Sequence, residues 1–162
     1  MTRTVQPVAR WAVAITFILS LLGLGISIYM TIQHFRGSSY LGCTTSGFEN
    51  CTVVTTSPQS RILGVPVAVL GVVNYSTMSV LNSPWVWRVK NYWVHVARFV
   101  LSIASMLMVL WLVTAELLII RKICLYCTSV HIITFALLIV LSMVSPTQLG
   151  WARSTAQEGP TL

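Results

Sequence analysis

The sequence predicts an all-α integral membrane protein: a four-transmembrane-helix bundle with a cysteine-bearing extracytoplasmic loop between its first two helices. Three observations predict it. Of the 162 residues, 56% are hydrophobic and only 8% are charged, whereas an ordinary soluble domain carries about 25% charged residues. A soluble domain of this size leaves much of its surface in water and cannot hide so many apolar side chains. A disordered chain would not contain them. Second, four apolar stretches each approach or exceed the roughly 20 residues needed to cross a bilayer. Third, the four cysteines, Cys43, Cys51, Cys124 and Cys127, all lie outside the centres of those stretches.

The first span runs over about 11–33, in the uncharged interval between Arg10 and His34. Arg3 and Arg10 give it the look of a signal peptide. Its apolar run is too long for an h-region and no small-residue cleavage site follows, so an uncleaved first span is expected. The second span covers about 62–81, between Arg61 and Arg88, and Asn82, Ser83 and Pro84 end it. The third covers about 94–120, with Arg98 near one end and Glu116 near the other. The fourth covers about 123–144 and is stopped by Pro146. Residues 1–145 thus form one membrane domain and 146–162 a polar C-terminal tail. Trp11, Trp85, Trp87, Trp93 and Trp151 flank the spans as an aromatic belt does.

Four crossings put both termini on one side. The formal charge of +7 comes from ten Lys and Arg against three Asp and Glu. These basic residues sit between apolar runs, where they set orientation, and no basic, aromatic-interleaved stretch suggests a nucleic-acid surface. Arg3, Arg10, Arg88, Lys90, Arg98 and Arg153 fall on the terminal side; Arg36, Arg61, Arg121 and Lys122 fall on the other. The excess favours cytoplasmic termini in a multi-pass protein of the plasma membrane. Both cysteine pairs then share the opposite, oxidising face.

Cys124-Leu125-Tyr126-Cys127 is a C-x-x-C at a helix start. Free N–H groups and the macrodipole stabilise a thiolate there, and Arg121 and Lys122 act in the same direction. Thiolates are the species that attack disulfides. Cys43 and Cys51 are separated by the polar segment Thr-Thr-Ser-Gly-Phe-Glu-Asn, which lets the two thiols meet. A dithiol on a loop beside a C-x-x-C makes a relay: one pair meets an outside partner and the other passes electrons inward. Thr128 follows Cys127, so the haem-attachment motif is absent, as is a dinucleotide fingerprint. A lipid-soluble quinone at the membrane edge suits a two-electron disulfide exchange. His131, four residues after Cys127 on the same helical face, is placed to donate to a quinone oxygen. Other readings use the same residues. Two structural disulfides would occupy the same four positions. A four-cysteine zinc site needs two close pairs, and the first pair is too widely spaced, so no metal is expected. His131 also suits a helix–helix polar contact. Glu116, a carboxylate within a membrane span, is a functional candidate by default, but its place about one turn from the span's end favours a local ion pair with, or snorkelling toward, Arg121 and Lys122.

The order Cys43-x7-Cys51, Ser57, Gly64-Val65-Pro66, Gly71, Tyr75 and Cys124-x-x-Cys127 resembles the vitamin K epoxide reductase family. The stretch from Val54 to Gly71 is similar to the actinobacterial branch, and the likeness spans about residues 10–145. The resemblance implies a four-helix bundle around a quinone, menaquinone or ubiquinone, as co-substrate. It implies that Cys127 faces the quinone, that Cys124 forms a transient disulfide with Cys51, and that Cys43 exchanges with the outside partner. It places Ser57, Val67, Leu70 and His131 at the quinone. Vertebrate members carry a longer segment before the second span, with an Asn that binds vitamin K; here Val67 stands near that place. Some bacterial members carry a fused thioredoxin-like domain. This chain runs to Leu162, so a separate thioredoxin-fold protein of the DsbA type is the expected partner, and the chain a functional analogue of DsbB. The rival expectations are a vitamin K epoxide or quinone reductase and a non-enzymatic scaffold stapled by two disulfides.

Overall fold

The structure is a computed structural model, and it describes residues 8–36 and 51–149. In chain order these residues form α1 (Arg10–Arg36), α2 (Cys51–Thr56), a 3-10 turn (Pro58–Ser60), β1 (Arg61–Ile62), β2 (Val65–Pro66), α3 (Val67–Leu81), a second 3-10 turn (Val86–Arg88), α4 (Tyr92–Thr114) with a π-helical continuation (Ala115–Ile120), and α5 (Leu125–Gln148). Three helical runs are long and apolar enough to cross a membrane: α1, α4 with its continuation, and α5. The protein is therefore an all-α integral membrane protein. Cys43 and the tail beyond Leu149 lie outside the described residues.

The second expected span differs from the structure. Residues 61–66 are not helical; they make a two-residue hairpin in which Arg61 pairs with Pro66 and Ile62 with Val65. Its turn residues, Leu63 and Gly64, have φ of 52° and 82°, the positive values that tight hairpin turns of this kind need at both positions. Pro66 has no N–H to give to a helix ladder, so α3 starts only after it. At about 1.5 Å per residue, α3 is about 22 Å long, shorter than the roughly 30 Å hydrocarbon layer. The fourth expected boundary also moves. Pro146 lies inside α5, which runs on to Gln148, so residues 146–148 belong to the helix rather than to a tail. A proline this close to the C-terminus removes one ladder bond, and the last turn tolerates that loss.

Small residues on α1 build the tightest contact in the fold. Thr16, Ser20, Gly23 and Ser27 are buried on one face, at the three- and four-residue spacing that lets membrane helices approach closely. α3 lies on that face: a Cβ on Gly71 would sit 2.9 Å from the Ser27 hydroxyl, and one on Gly23 would strike the Tyr75 ring. Asn82, at the end of α3, donates to the Ser20 hydroxyl at 3.0 Å. α5 packs against α1 and α4, while α3 and α4 meet only loosely.

The end of the bundle remote from α2 is locked by Arg98, which is 1% exposed. Its Nε donates to the Leu81 carbonyl at 3.0 Å, a second guanidinium nitrogen donates to the same oxygen, and the guanidinium stacks 3.7 Å above the Trp87 ring. His95 supports it. Its Nε2 meets the Val89 carbonyl at 2.8 Å and so carries the proton, leaving Nδ1 to accept from Arg98 at 3.3 Å and from Gln148 at 3.2 Å. Trp87 is thus a buried platform rather than part of an aromatic belt, whereas Trp85 and Trp93 are exposed. Replacing Arg98→Ala orphans the Leu81 carbonyl, and the loss is expected at about 2–3 kcal/mol. A melt in detergent should show a transition several degrees lower, with Arg98→Lys in between because a lysine cannot reproduce the paired donors.

Candidate functional site

Cys124 sits just before α5 in extended backbone, φ −109° and ψ 120°. Its carbonyl accepts from the N–H of Thr128 at 2.9 Å and from the Thr128 hydroxyl at 3.0 Å, which closes the first turn. Cys127 is one turn further on, so both thiols face the same way. Both are free thiols. The Cys127 thiol donates to the Cys124 sulfur, and the backbone N–H groups of Cys127 and Tyr126 point at it. These donors hold the Cys124 thiol below its ordinary pKa, against the opposing effect of burial. Tyr126, between the cysteines, packs on Tyr29 of α1 with ring centroids 5.2 Å apart.

Cys51 opens α2 and is disulfide-bonded. Neither Cys124 nor Cys127 is its partner, since both are free. Cys51, Cys124, Met30 and Val54 form one buried cluster, with Cys127, Tyr126 and Ile120 packed against it. Cys51 is 1% exposed and Cys124 is fully buried. Cys124 is thus enclosed beside Cys51 rather than open to a bulky protein.

The π-helical turn brings an acid to the cysteines. Its wider winding ends at Arg121, whose φ of 55° is left-handed, and the Glu116 carbonyl accepts from the N–H of Lys122 at 3.2 Å. Single π-helical turns inside α-helices are frequent at functional sites. Here the Glu116 side chain is buried beside the Cys127 thiol and the Cys124 backbone N–H, a second acceptor within reach of the one Cys127 proton. The expected ion pair or snorkelling toward Arg121 and Lys122 is therefore not its arrangement.

A cavity of about 310 Å³ lies inside the bundle, along the loose seam between α3 and α4. That is the lower end of small-molecule sites, about 300–1,000 Å³. Ser57, Val67, Leu70, His131 and Cys127, all expected at a quinone, line it together; Cys124 does not. The Ser57 hydroxyl donates to the Val54 carbonyl at 2.8 Å, so its lone pairs remain to face the cavity. Two further polar contacts shape the walls. Tyr75 bridges α3 to α5, with its hydroxyl 3.0 Å from the Val130 carbonyl and 2.8 Å from the Thr134 hydroxyl. Ser105 donates to Asn74 at 2.8 Å across the α3–α4 seam. Asn74, Ser105 and Glu116 also line the cavity, and no motif in the sequence places them there. The available signal was an amide inside an uncharged span and a carboxylate inside another. Among the described residues no group of His, Cys, Asp and Glu is arranged to hold a metal.

Residues 14–142 match the sequence profile of the vitamin K epoxide reductase family. No curated protein gives a significant match.

Proposed function

The chain belongs to the vitamin K epoxide reductase family, and from that premise we propose that it is a membrane thiol:quinone oxidoreductase supporting disulfide-bond formation. It reoxidises a separate secreted thioredoxin-fold oxidase of the DsbA type and hands the electrons to a membrane quinone, menaquinone or ubiquinone. In this reading α3 is the fourth crossing of a plasma-membrane bundle. The termini are cytoplasmic, and all four cysteines lie at the extracytoplasmic face.

The observation that carries the reading is the division of labour between the two thiols of the C-x-x-C. Cys124 is sealed in a cluster with Cys51, and Cys127 lines an apolar cavity of small-molecule size. The partner's dithiol exchanges with Cys43–Cys51, Cys51 exchanges with Cys124, and Cys127 faces the quinone. One disulfide is formed in the partner for each quinone reduced, and two thiol protons accompany the two electrons. The depressed thiol pKa of Cys124 suits this path, because Cys124 is the group expelled when Cys43 attacks the Cys51–Cys124 bond, and a low-pKa thiol leaves faster. The free state of Cys124 and Cys127 also favours exchange over a scaffold with two permanent staples. Val67, in the cavity wall, offers no hydrogen bond to a vitamin K oxygen, which favours quinone over epoxide as the physiological acceptor.

The test is a trap. Cys124→Ala blocks the internal exchange, so a mixed disulfide between the loop pair and a thioredoxin-fold protein accumulates on non-reducing gels and disappears when Cys43 is also replaced. A Cys124→Ala protein that traps nothing would sink the partner assignment. The quinone pocket is checked separately. A bound quinone stabilises the native state by about 2.7 kcal/mol at 100 times its dissociation constant. Val67→Trp fills the cavity, so the quinone-dependent rise in melting temperature seen with the wild type should vanish.

A further inference from the structure

Quinone reduction moves protons as well as electrons, and the relay of sulfurs alone leaves the proton from Cys127 with no carrier. The structure supplies one. The Cys127 thiol has a single proton and two acceptors beside it, the Cys124 sulfur and the Glu116 carboxylate. Glu116 is 6% exposed and lines the same cavity as Cys127 and His131. Its position is built rather than incidental: the π-helical turn and the left-handed Arg121 turn it inward, and the Cys124 N–H holds it. A carboxylate buried among membrane helices is expensive to keep and marks function by default.

We propose that Glu116 is a catalytic acid–base residue, which takes the Cys127 thiol proton as the Cys124–Cys127 disulfide closes and delivers it to a quinone oxygen in the cavity. The assignment rests on the thiol:quinone reading above. The step balances. The Cys127 S–H bond breaks, the Cys124–Cys127 S–S bond forms, and two electrons leave the sulfurs for the quinone. One proton passes through Glu116; the second, lost earlier when Cys124 became a thiolate, is returned from water at the other oxygen. The product is a hydroquinone. A purely structural role would need only the acceptor that holds the Cys124 N–H, and glutamine provides one at the same length.

Glu116→Gln therefore separates the two roles. A positioned acid–base group contributes about 10²- to 10⁴-fold, so kcat for quinone reduction by the purified full-length protein should fall by at least about a hundredfold while KM for the quinone changes little. Glu116→Asp should recover part of the loss. A readout without quinone accompanies this: the infrared S–H stretching band of Cys127 in the reduced protein, identified by its absence in Cys127→Ala, should shift in Glu116→Gln because the charged acceptor has gone. If Glu116→Gln does not fold, Glu116→Asp still moves both kcat and the band. An unchanged kcat, or a band that stays in place, would overturn the role of Glu116 with the relay intact. A wild-type protein that reduces no quinone would instead overturn the reading beneath it.

Discussion

Cys127→Ala should abolish quinone reduction and, at the same time, stabilise a disulfide between Cys51 and Cys124. Both outcomes have one cause. In the proposed relay, exchange between Cys51 and Cys124 gives a mixed disulfide that Cys127, one turn away, is placed to resolve by attack on Cys124. With Cys127 gone, this route back is closed, and the thiol at the cavity wall is missing as well. The remaining pair is enclosed with Met30 and Val54, so water-borne thiols reach it slowly. Peptide mapping under non-reducing conditions identifies the linked pair, and a quinone absorbance assay measures the loss, which should reach the detection limit. A Cys127→Ala protein that keeps Cys124 as a free thiol and still reduces quinone would place the chemistry elsewhere.

The second large effect is structural. Gly23→Ala should prevent α1 and α3 from closing, because the new Cβ would lie 2.2–2.5 Å from three atoms of the Tyr75 ring. The ring cannot swing aside freely, since its hydroxyl is held by Val130 and Thr134 of α5. Overpacking a core typically costs about 1–3 kcal/mol, and a clash with a pinned ring falls at the top of that range or beyond it. Yields of folded protein and the melting temperature in detergent should both drop sharply. Gly25→Ala, two residues along the same helix, meets no atom within 4 Å. It should leave the melt unchanged or raise it, because alanine favours a helix over glycine by up to about 1 kcal/mol. Tyr75→Leu in the Gly23→Ala background should restore part of the stability. Equal melts for the two glycine variants would contradict the α1–α3 contact.

How far the sequence reaches depends on which signal each feature uses. The long spans are legible because charge is expensive in lipid, and the uncharged interval between Arg10 and His34 marks the first of them directly. Their boundaries are less legible. After Arg61, the hairpin residues 62–66 are as apolar and uncharged as a helix start, and only the Gly64 and Pro66 backbone preferences distinguish them. Pro146 reads as a stop, yet the helix absorbs it in its final turn. The packing face of α1 is written in small residues, which a count of apolar length ignores. At the site, the thiols are legible from their spacing and His131 from its place one turn after Cys127, whereas Ser57, Val67 and Leu70 are reached only through the family resemblance. Glu116 is visible as an oddity, but its nearest charges in sequence, Arg121 and Lys122, suggest the wrong partner. Its real neighbour is set by a π-helical turn, which has no signature in composition or periodicity. The Asn74–Ser105 contact is similarly a product of two helices meeting, and neither residue announces the other.

The central claim is that electrons pass from the Cys124–Cys127 dithiol to a quinone. A single-turnover experiment tests it most directly: the purified protein is fully reduced, freed of reductant, and mixed with one equivalent of a soluble quinone analogue, with hydroquinone followed optically and the thiols mapped after acid quenching. The account predicts one hydroquinone per protein, with the first disulfide formed between Cys124 and Cys127. Quinone left unreduced by the four-thiol protein, or a first disulfide that excludes Cys127, would contradict it.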